Sequence, residues 1–319
     1  MEQQQQEIVK GASLWRDAWK RLLKNKLAVF GLIVVAIMAV AVTIGPAIIR
    51  WTTGFTYDFI PPDGSQIKSF PPSLKHPMGT DDSGRDLLAR VLQGGRISLM
   101  VGVISTIVSL IVGVSWGATA AYLGGRIDNF MMRIVDIIYS IPYILIVIVL
   151  LSVFGGQNTP TWIQAMANVF GGGQGLNQIF LLFIALGLVS WLTMARVVRG
   201  QILSLKNQEF VMAARATGVS TPNIIFRHLV PNALGPVIVY ATLTIPSVML
   251  SEAFLSFLGI GVQAPFASWG SLASDGIKNI AIFPWQLIFP GVTMALTLFS
   301  LNFLGDGLRD ALDPQTRKF

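Results

Sequence analysis

"LAVFGLIVVAIMAVAVTIGPAII", residues 27–49, runs for 23 residues without a charged side chain. At 1.5 Å rise per residue, a helix of that length reaches about 35 Å, enough to cross a hydrocarbon core of roughly 30 Å. In lipid, the backbone N–H and C=O groups must be satisfied within the segment, so the run reads as a transmembrane helix and not as a strand. Proportions across the chain agree with this. Of 319 residues, 53% are hydrophobic and 12% charged, where a soluble domain carries about 25% charged residues.

Five further segments have the same character: 97–122, 134–154, 179–195, 233–258 and 285–304. The expected fold class is therefore an all-α integral membrane protein with six transmembrane helices. An even number of crossings places both termini on one side. Under that reading, 16 of the 23 Lys and Arg residues fall on the terminal side, and the excess makes that side the cytoplasm. The net charge of +7 follows from membrane orientation, so no nucleic-acid partner is expected; lipid is. The polar opening "MEQQQQEIVKGASLWRDAWKRLLKNK" lacks a small-residue cleavage site, and the first span is expected to be retained.

The expected organisation is a cytoplasmic segment 1–26, the first span 27–49, an external loop 50–96, a five-helix core 97–304 and a cytoplasmic tail 305–319. In the external loop, Ser83 and Asp86 have the spacing of a capping box, and Leu87, Leu88, Val91 and Leu92 form an apolar stripe before Gly94 and Gly95. That pattern predicts a short helix ending at the glycines. Asp81 and Asp82, near His76, read as helix caps in preference to a metal or carboxylate-catalysis site. With no cysteine in the chain there is neither a disulfide framework nor a thiolate metal site. No phosphate-binding loop, H-E-x-x-H or G-x-S-x-G motif occurs, and the glycine-rich run from Gly171 reads as a flexible turn. No catalytic residue, bound cofactor or metal is expected, and any ATP-driven work belongs to another chain.

Ionisable residues in or beside the spans are functional candidates. Arg133 and Asp136, three apart, share a helix face and are expected to pair, while Glu252 is expected near the outer surface. Structural pairing or interface placement is preferred here to a proton relay. Pro142, Pro246 and Pro290 fall within spans and are expected to kink them.

Between the fourth and fifth spans, residues 196–232 read as a helix stopping at Gly218 and a second helix capped by Ser220 or Thr221, with Pro222 in its first turn. Pro231 is expected to end that second helix before the fifth span. The product is a cytoplasmic hairpin with small residues at Ala213, Ala214 and Gly218 and a charge at Arg215.

"EFVMAARATGVSTPNIIFRHLVPN", residues 209–232, resembles the EAA loop of ABC importer permeases: Glu-Ala-Ala, three residues, Gly, nine residues, Ile, one residue, Leu-Pro. Ala213, Ala214, Gly218 and Pro231 fall on the pattern. Met212 stands for the glutamate, His228 for the isoleucine and Val230 for the leucine. "HPMGTDDSGRDLLARVLQGGRISL" (76–99), "RIVDIIYSIP" (133–142) and "SEAFLSFLGIGVQAPFASWGSLASDG" (251–276) are similar to the C-type permease subunits of dipeptide, oligopeptide and nickel ABC importers.

The resemblance implies a type I ABC importer permease fold. It also implies a related B-type permease partner, two cytoplasmic ATPase subunits that hold ATP and Mg, and an external substrate-binding protein delivering peptide. Met212, Ala213, Ala214, Arg215, Gly218, Val219, Pro222, Arg227 and Pro231 would make the ATPase-coupling surface. A nickel or other small-solute importer is the alternative within the subfamily, and a proton-coupled secondary transporter the alternative outside it. The connection 155–178 is longer than the family's usual one and is expected to contact the binding protein or the sister subunit.

Overall fold

The computed structural model describes residues 14–60, 69–155, 158–169 and 174–312. Residues 171–173 of the glycine-rich run, most of the N-terminal segment and the last seven residues lie outside these. The described residues form helices α1 (Leu14–Leu22), α2 (Lys26–Thr53), α3 (Leu87–Leu123), α4 (Gly125–Tyr139), α5 (Tyr143–Phe154), α6 (Thr161–Val169), α7 (Gln174–Leu205), α8 (Glu209–Ala216), α9 (Thr221–Asn223), α10 (Val230–Phe257), α11 (Trp269–Lys278) and α12 (Trp285–Leu312). Five helices are long and apolar enough to span a bilayer, and α4 with α5 makes a sixth span bent by 86°. This is an all-α, multi-pass membrane protein.

Each crossing has a local cause. Asn25 caps α2, its side chain accepting from the Leu27 and Ala28 amides, and Gly54 in the left-handed region closes the other end. Asp86 caps α3 by accepting from Ala89 N at 2.8 Å. The expected short helix is thus the first two turns of a 37-residue helix, and Asp86 is its cap, not the third residue of a box begun by Ser83. Gly94 and Gly95 do not stop it. A Cβ on Gly95 would enter the ring of Trp269, so the glycines seat α11 against α3. Across α3 and α7, Ser105 Oγ donates to Phe183 O at 2.7 Å, an interhelical bond of the kind worth about 0.6 kcal/mol in membranes.

The third span is not one helix. Pro142 has no N–H to continue the ladder, and the backbone turns through Ser140 and Ile141 before restarting at Tyr143. The expected kink is a break. Pro246 and Pro290, by contrast, sit inside continuous helices. Part of the 155–178 connection is helical too, with Ile163 and Ala167 of α6 buried in the core.

By alternation of the crossings, one end of the bundle, the near end, carries α1, the end of α12 and the 206–229 segment. The opposite, far end carries residues 69–86, α6 and α11. There Asp81 accepts from the Ser83 and Arg85 amides at 2.9 Å and so caps a turn and not the helix. Asp82 accepts from Ser69 Oγ and Asn279 Nδ2, and His76 Nδ1 lies 2.9 Å from Asp86 Oδ2. Among the described residues no group of three or more His, Asp or Glu is placed to hold a metal.

Candidate functional site

Two features stand out, an exposed segment at the near end and a cavity within the bundle. The first begins where α7 stops at Leu205; Lys206 Nζ donates to Ala121 O at the end of α3 and fixes the turn. α8 then ends in a Schellman closure: Val219 N donates to Ala214 O and Gly218 N to Arg215 O, with Gly218 at φ 75°. Only glycine takes that conformation without strain. Ser220, extended, precedes α9, and Pro222 occupies its first turn. Gly218 and Pro222 sit as the sequence indicates, but the first helix is interrupted at residues 206–208, and Ser220 holds the N-cap position without a side-chain hydrogen bond.

Pro231 differs from expectation. It does not end the second helix but lies in the first turn of α10, joined to α9 through a π-helical turn, Ile224–Leu229. Val230 N reaches back to Ile225 O, one residue farther than in an α-helix. Lacking an N–H, Pro231 cannot continue the ladder, and a widened turn absorbs the defect. Residues 221–257 thereby form a single apolar rod.

The candidate coupling residues divide between two faces. Ala214 is buried, and with Val211, Ile224, Ile225 and Leu229 it packs on Ala118, Ala121, Val198 and Ile202, with Val219 half-buried beside them. Ala214 is small because its own chain approaches it, which corrects its placement on a partner-facing surface. Met212, Ala213, Gly218, Pro222, Arg227 and Pro231 face outward, and Phe210 and Phe226 extend the exposed apolar area. Arg215 is exposed but engaged: Nε donates to Tyr122 Oη at 3.2 Å, and the guanidinium lies 5.0 Å from that ring's centre. No sequence signal identified Tyr122 as its partner.

The charged residues of the spans are also rearranged. Asp136 pairs with Arg196 of α7 at 2.8 Å and not with Arg133. Arg196 also stacks on Tyr139 at 4.3 Å. Because Arg133 and Asp136 belong to a helix that ends at Tyr139, contact with α7 competes with the local pair. A second carboxylate, Asp128, receives both Nε and Nη2 of Arg199 at 2.7 Å; its bidentate geometry fixes α4 on α7. Glu252 lies near the far end of α10, as its position in the span indicates, and is buried there. Its Oε1 accepts from Ser256 Oγ at 2.6 Å and Ser268 Oγ at 2.7 Å, so it joins α10 to the cap of α11.

The cavity, of about 580 Å³, lies between the break of α4 and α5, α7 and α10. Tyr139, Ser140 and Pro142 line it from the break, Ser190 and Thr193 from α7, and Tyr240, Thr244, Ser247 and Ser251 from α10. Irregular backbone in a spanning segment is tolerated where it lines such a cavity. The sequence signal for it is Pro142, legible as a kink but not as a wall.

The rod 221–257 thus carries the exposed segment at one end and the cavity wall farther along. That combination of bundle, near-end hairpin and broken span is a multi-pass helical membrane architecture. Residues 97–318 match the binding-protein-dependent transport system inner membrane component family, and the chain belongs to it.

Residues 13–62 in addition match the N-terminal TM domain of oligopeptide transport permease C. The chain is 48% identical over 310 residues to the oligopeptide transport system permease protein OppC of Escherichia coli K12, covering 97% of this chain and 94% of that protein. It is 46% identical to OppC of Haemophilus influenzae, covering 97% and 91%. Identity to the dipeptide transport system permease protein DppC of Bacillus subtilis is 42%, covering 96% and 87%.

Proposed function

We propose that this chain is the transmembrane permease subunit of an ATP-binding-cassette importer that moves di- or oligopeptides into the cytoplasm, with ATP and Mg held by two separate ATPase subunits. The observation that carries the reading is the continuous rod from Thr221 to Phe257, which joins the exposed segment to the cavity wall. Names of the relatives, oligopeptide and dipeptide permeases, supply the substrate class. A related B-type permease subunit closes the open side of the cavity, and an external binding protein delivers the peptide. Both termini and the 209–232 segment face the cytoplasm, in keeping with the excess of Lys and Arg there.

In mechanism, the ATPase grips Met212, Ala213, Gly218 and Pro222. From Pro222 to Ser247 the rod is about 37 Å long at 1.5 Å per residue. A helix is stiff along its axis, so tilting its near end displaces Tyr240, Thr244, Ser247 and Ser251 relative to α7. Such rigid-element motion is one of the known routes to alternating access. Arg215 on Tyr122 ties α8 to the end of α3 and gives the lever a fulcrum.

The test is reconstitution of the complete complex in proteoliposomes, with ATP inside and a labelled tetrapeptide presented by the binding protein outside. ATP-dependent accumulation is the expected result. Accumulation that persists without ATPase subunits and follows a proton gradient would replace this reading with a secondary transporter.

A further inference from the structure

Arg50 directly follows the uncharged run 27–49, and Arg96 directly precedes the uncharged run 97–122. Both guanidiniums therefore stand at the far border of the hydrocarbon. Trp51, 87% exposed beside Arg50, marks the headgroup depth that tryptophan favours. Neither arginine forms an ion pair with a carboxylate of the described residues.

The two converge on one cleft. Between α2 and α3 lies a cavity of about 620 Å³, distinct from the one at the helix break, whose lining includes no residue of α2 or α3. Thr43, Ala47 and Arg50 share one face of α2, and Ala89, Gln93 and Arg96 share one face of α3, each set at spacings of four and three residues. Gly45 receives Leu92 and brings the helices together. The segment 55–58 borders the cleft. Tyr57 is held there by its ring on Phe266, centroids 5.9 Å apart, and by Arg90 Nη1, which donates to Tyr57 O at 3.5 Å. Asp58, which accepts from Thr56 Oγ1 at 2.7 Å, is the one carboxylate of the lining against two guanidiniums. The lining is thus net positive.

Below the cleft, the face of α3 that carries Arg96 continues through Val103, Ile107 and Ile111, all apolar and exposed. They follow Arg96 by seven, eleven and fifteen residues, the spacing of a single helix stripe. We infer that the cleft between α2 and α3 binds an anionic phospholipid of the far leaflet, with its phosphodiester on Arg50 and Arg96 and an acyl chain along Val103, Ile107 and Ile111.

The inference goes beyond the transport reading and does not depend on it. A cation at the hydrocarbon border is costly unless an anion accompanies it, and guanidinium and phosphate match in bidentate geometry. A soluble phosphate would satisfy the arginines but gain nothing from the apolar stripe. A lipid uses both, because its charge and its chain are joined at the depth where the arginines and the stripe meet.

The test is a lipid titration of the assembled complex in detergent, read by native mass spectrometry as lipid molecules retained. The same partner subunits are present in every sample, so differences between variants report this chain. Wild type should hold phosphatidylglycerol several-fold more tightly than phosphatidylcholine of the same chain length. Arg50→Gln combined with Arg96→Gln should weaken phosphatidylglycerol about 25-fold, at about fivefold per arginine near a lipid headgroup. Equal retention of the two lipids by wild type, or unchanged affinity in the double variant, would overturn the site. Displacement of the lipid by millimolar inorganic phosphate would overturn it in favour of a soluble anion. Loss of the partner permease subunit from the variant's spectrum would overturn it in favour of a protein carboxylate on these arginines. If the double variant does not express, Arg50→Gln alone, in the exposed last turn of α2, should weaken phosphatidylglycerol about fivefold; no change would count against the site.

Discussion

The two ends of the bundle are built to different rules. At the far end polar groups find partners within the chain: Trp269 Nε1 donates to Val91 O, its amide to Ser98 Oγ, Gln286 Nε2 to Thr80 O, and Glu252 accepts from two serines. At the near end, Phe210, Met212 and Phe226 are exposed around a hairpin whose inner face alone is packed. A stretch that has satisfied itself has little to offer a partner, whereas one with apolar groups still in water gains by docking. The difference implies that substitutions of these bonded far-end groups act on the stability of this chain and those of the exposed near-end residues on its association.

The largest effect belongs to Trp269→Ala. The ring is fully buried against Gly95 with its N–H bonded to Val91 O, and truncation should cost about 3–5 kcal/mol. Thermal melting of the detergent-solubilised chain checks this. A shift no larger than that of an exposed substitution would show that the far end is not the rigid one.

The two ion pairs between α4 and α7 sharpen the comparison within one interface. Asp128 is nearly buried and its pair with Arg199 bidentate, whereas the pair of Asp136 with Arg196 is largely in the open. Asp128→Ala should destabilise by about 1–2 kcal/mol after allowance for the partly exposed Arg199, and Asp136→Ala by about 0.5 kcal/mol. Chemical denaturation of both variants checks the order; equal losses would mean that burial does not set it.

At the near end, Gly218→Phe combines a backbone and a surface effect. A side chain at φ 75° costs about 1–2 kcal/mol, and apart from its chain neighbours nothing lies within 4 Å of the Cβ position, so the added side chain starts in open space. Coupled uptake should fall more than tenfold while this chain still inserts. Gly218→Asn supplies the control, since Asn tolerates the left-handed region and is small. It should retain uptake within about threefold. If Asn fails as severely as Phe, backbone conformation and not close approach governs the site.

Much of this was legible in the sequence because its signals are local. Five of the six apolar runs, the Gly218 stop and the Pro222 restart depend on residues a few positions apart, and the structure keeps them, while the sixth run is broken at Pro142. What was not legible required a neighbour distant in the chain. Asp136 finds Arg196, sixty residues on. Gly95 reads as a helix stop until Trp269 occupies its face. Ala214 reads as a docking surface until Ala118 and Ile202 cover it. Pro231 is instructive because its local rule, that proline breaks a helix, holds only where the missing bond cannot be absorbed. A π-turn absorbs it here, and the hairpin becomes continuous with the fifth crossing.

The smallest effect on the chain itself should come from Met212, where the sequence departs from the family pattern. Its side chain is exposed on the outer face of α8, and no core cluster includes it. Met and Glu have nearly equal helix propensity, so Met212→Glu should change the stability of the isolated chain by less than about 0.5 kcal/mol. Any larger consequence must therefore appear in the docked complex. There an exposed thioether gains by burial, at about 25 cal/mol per Å² of apolar area, whereas a carboxylate gains only if the partner offers a cation or an amide. A fall of about tenfold in ATPase affinity, measured by titration of the purified subunits, would show that the docking surface is apolar at this point. Unchanged affinity would place Met212 outside the contact and leave Ala213, Gly218 and Pro222 to carry it.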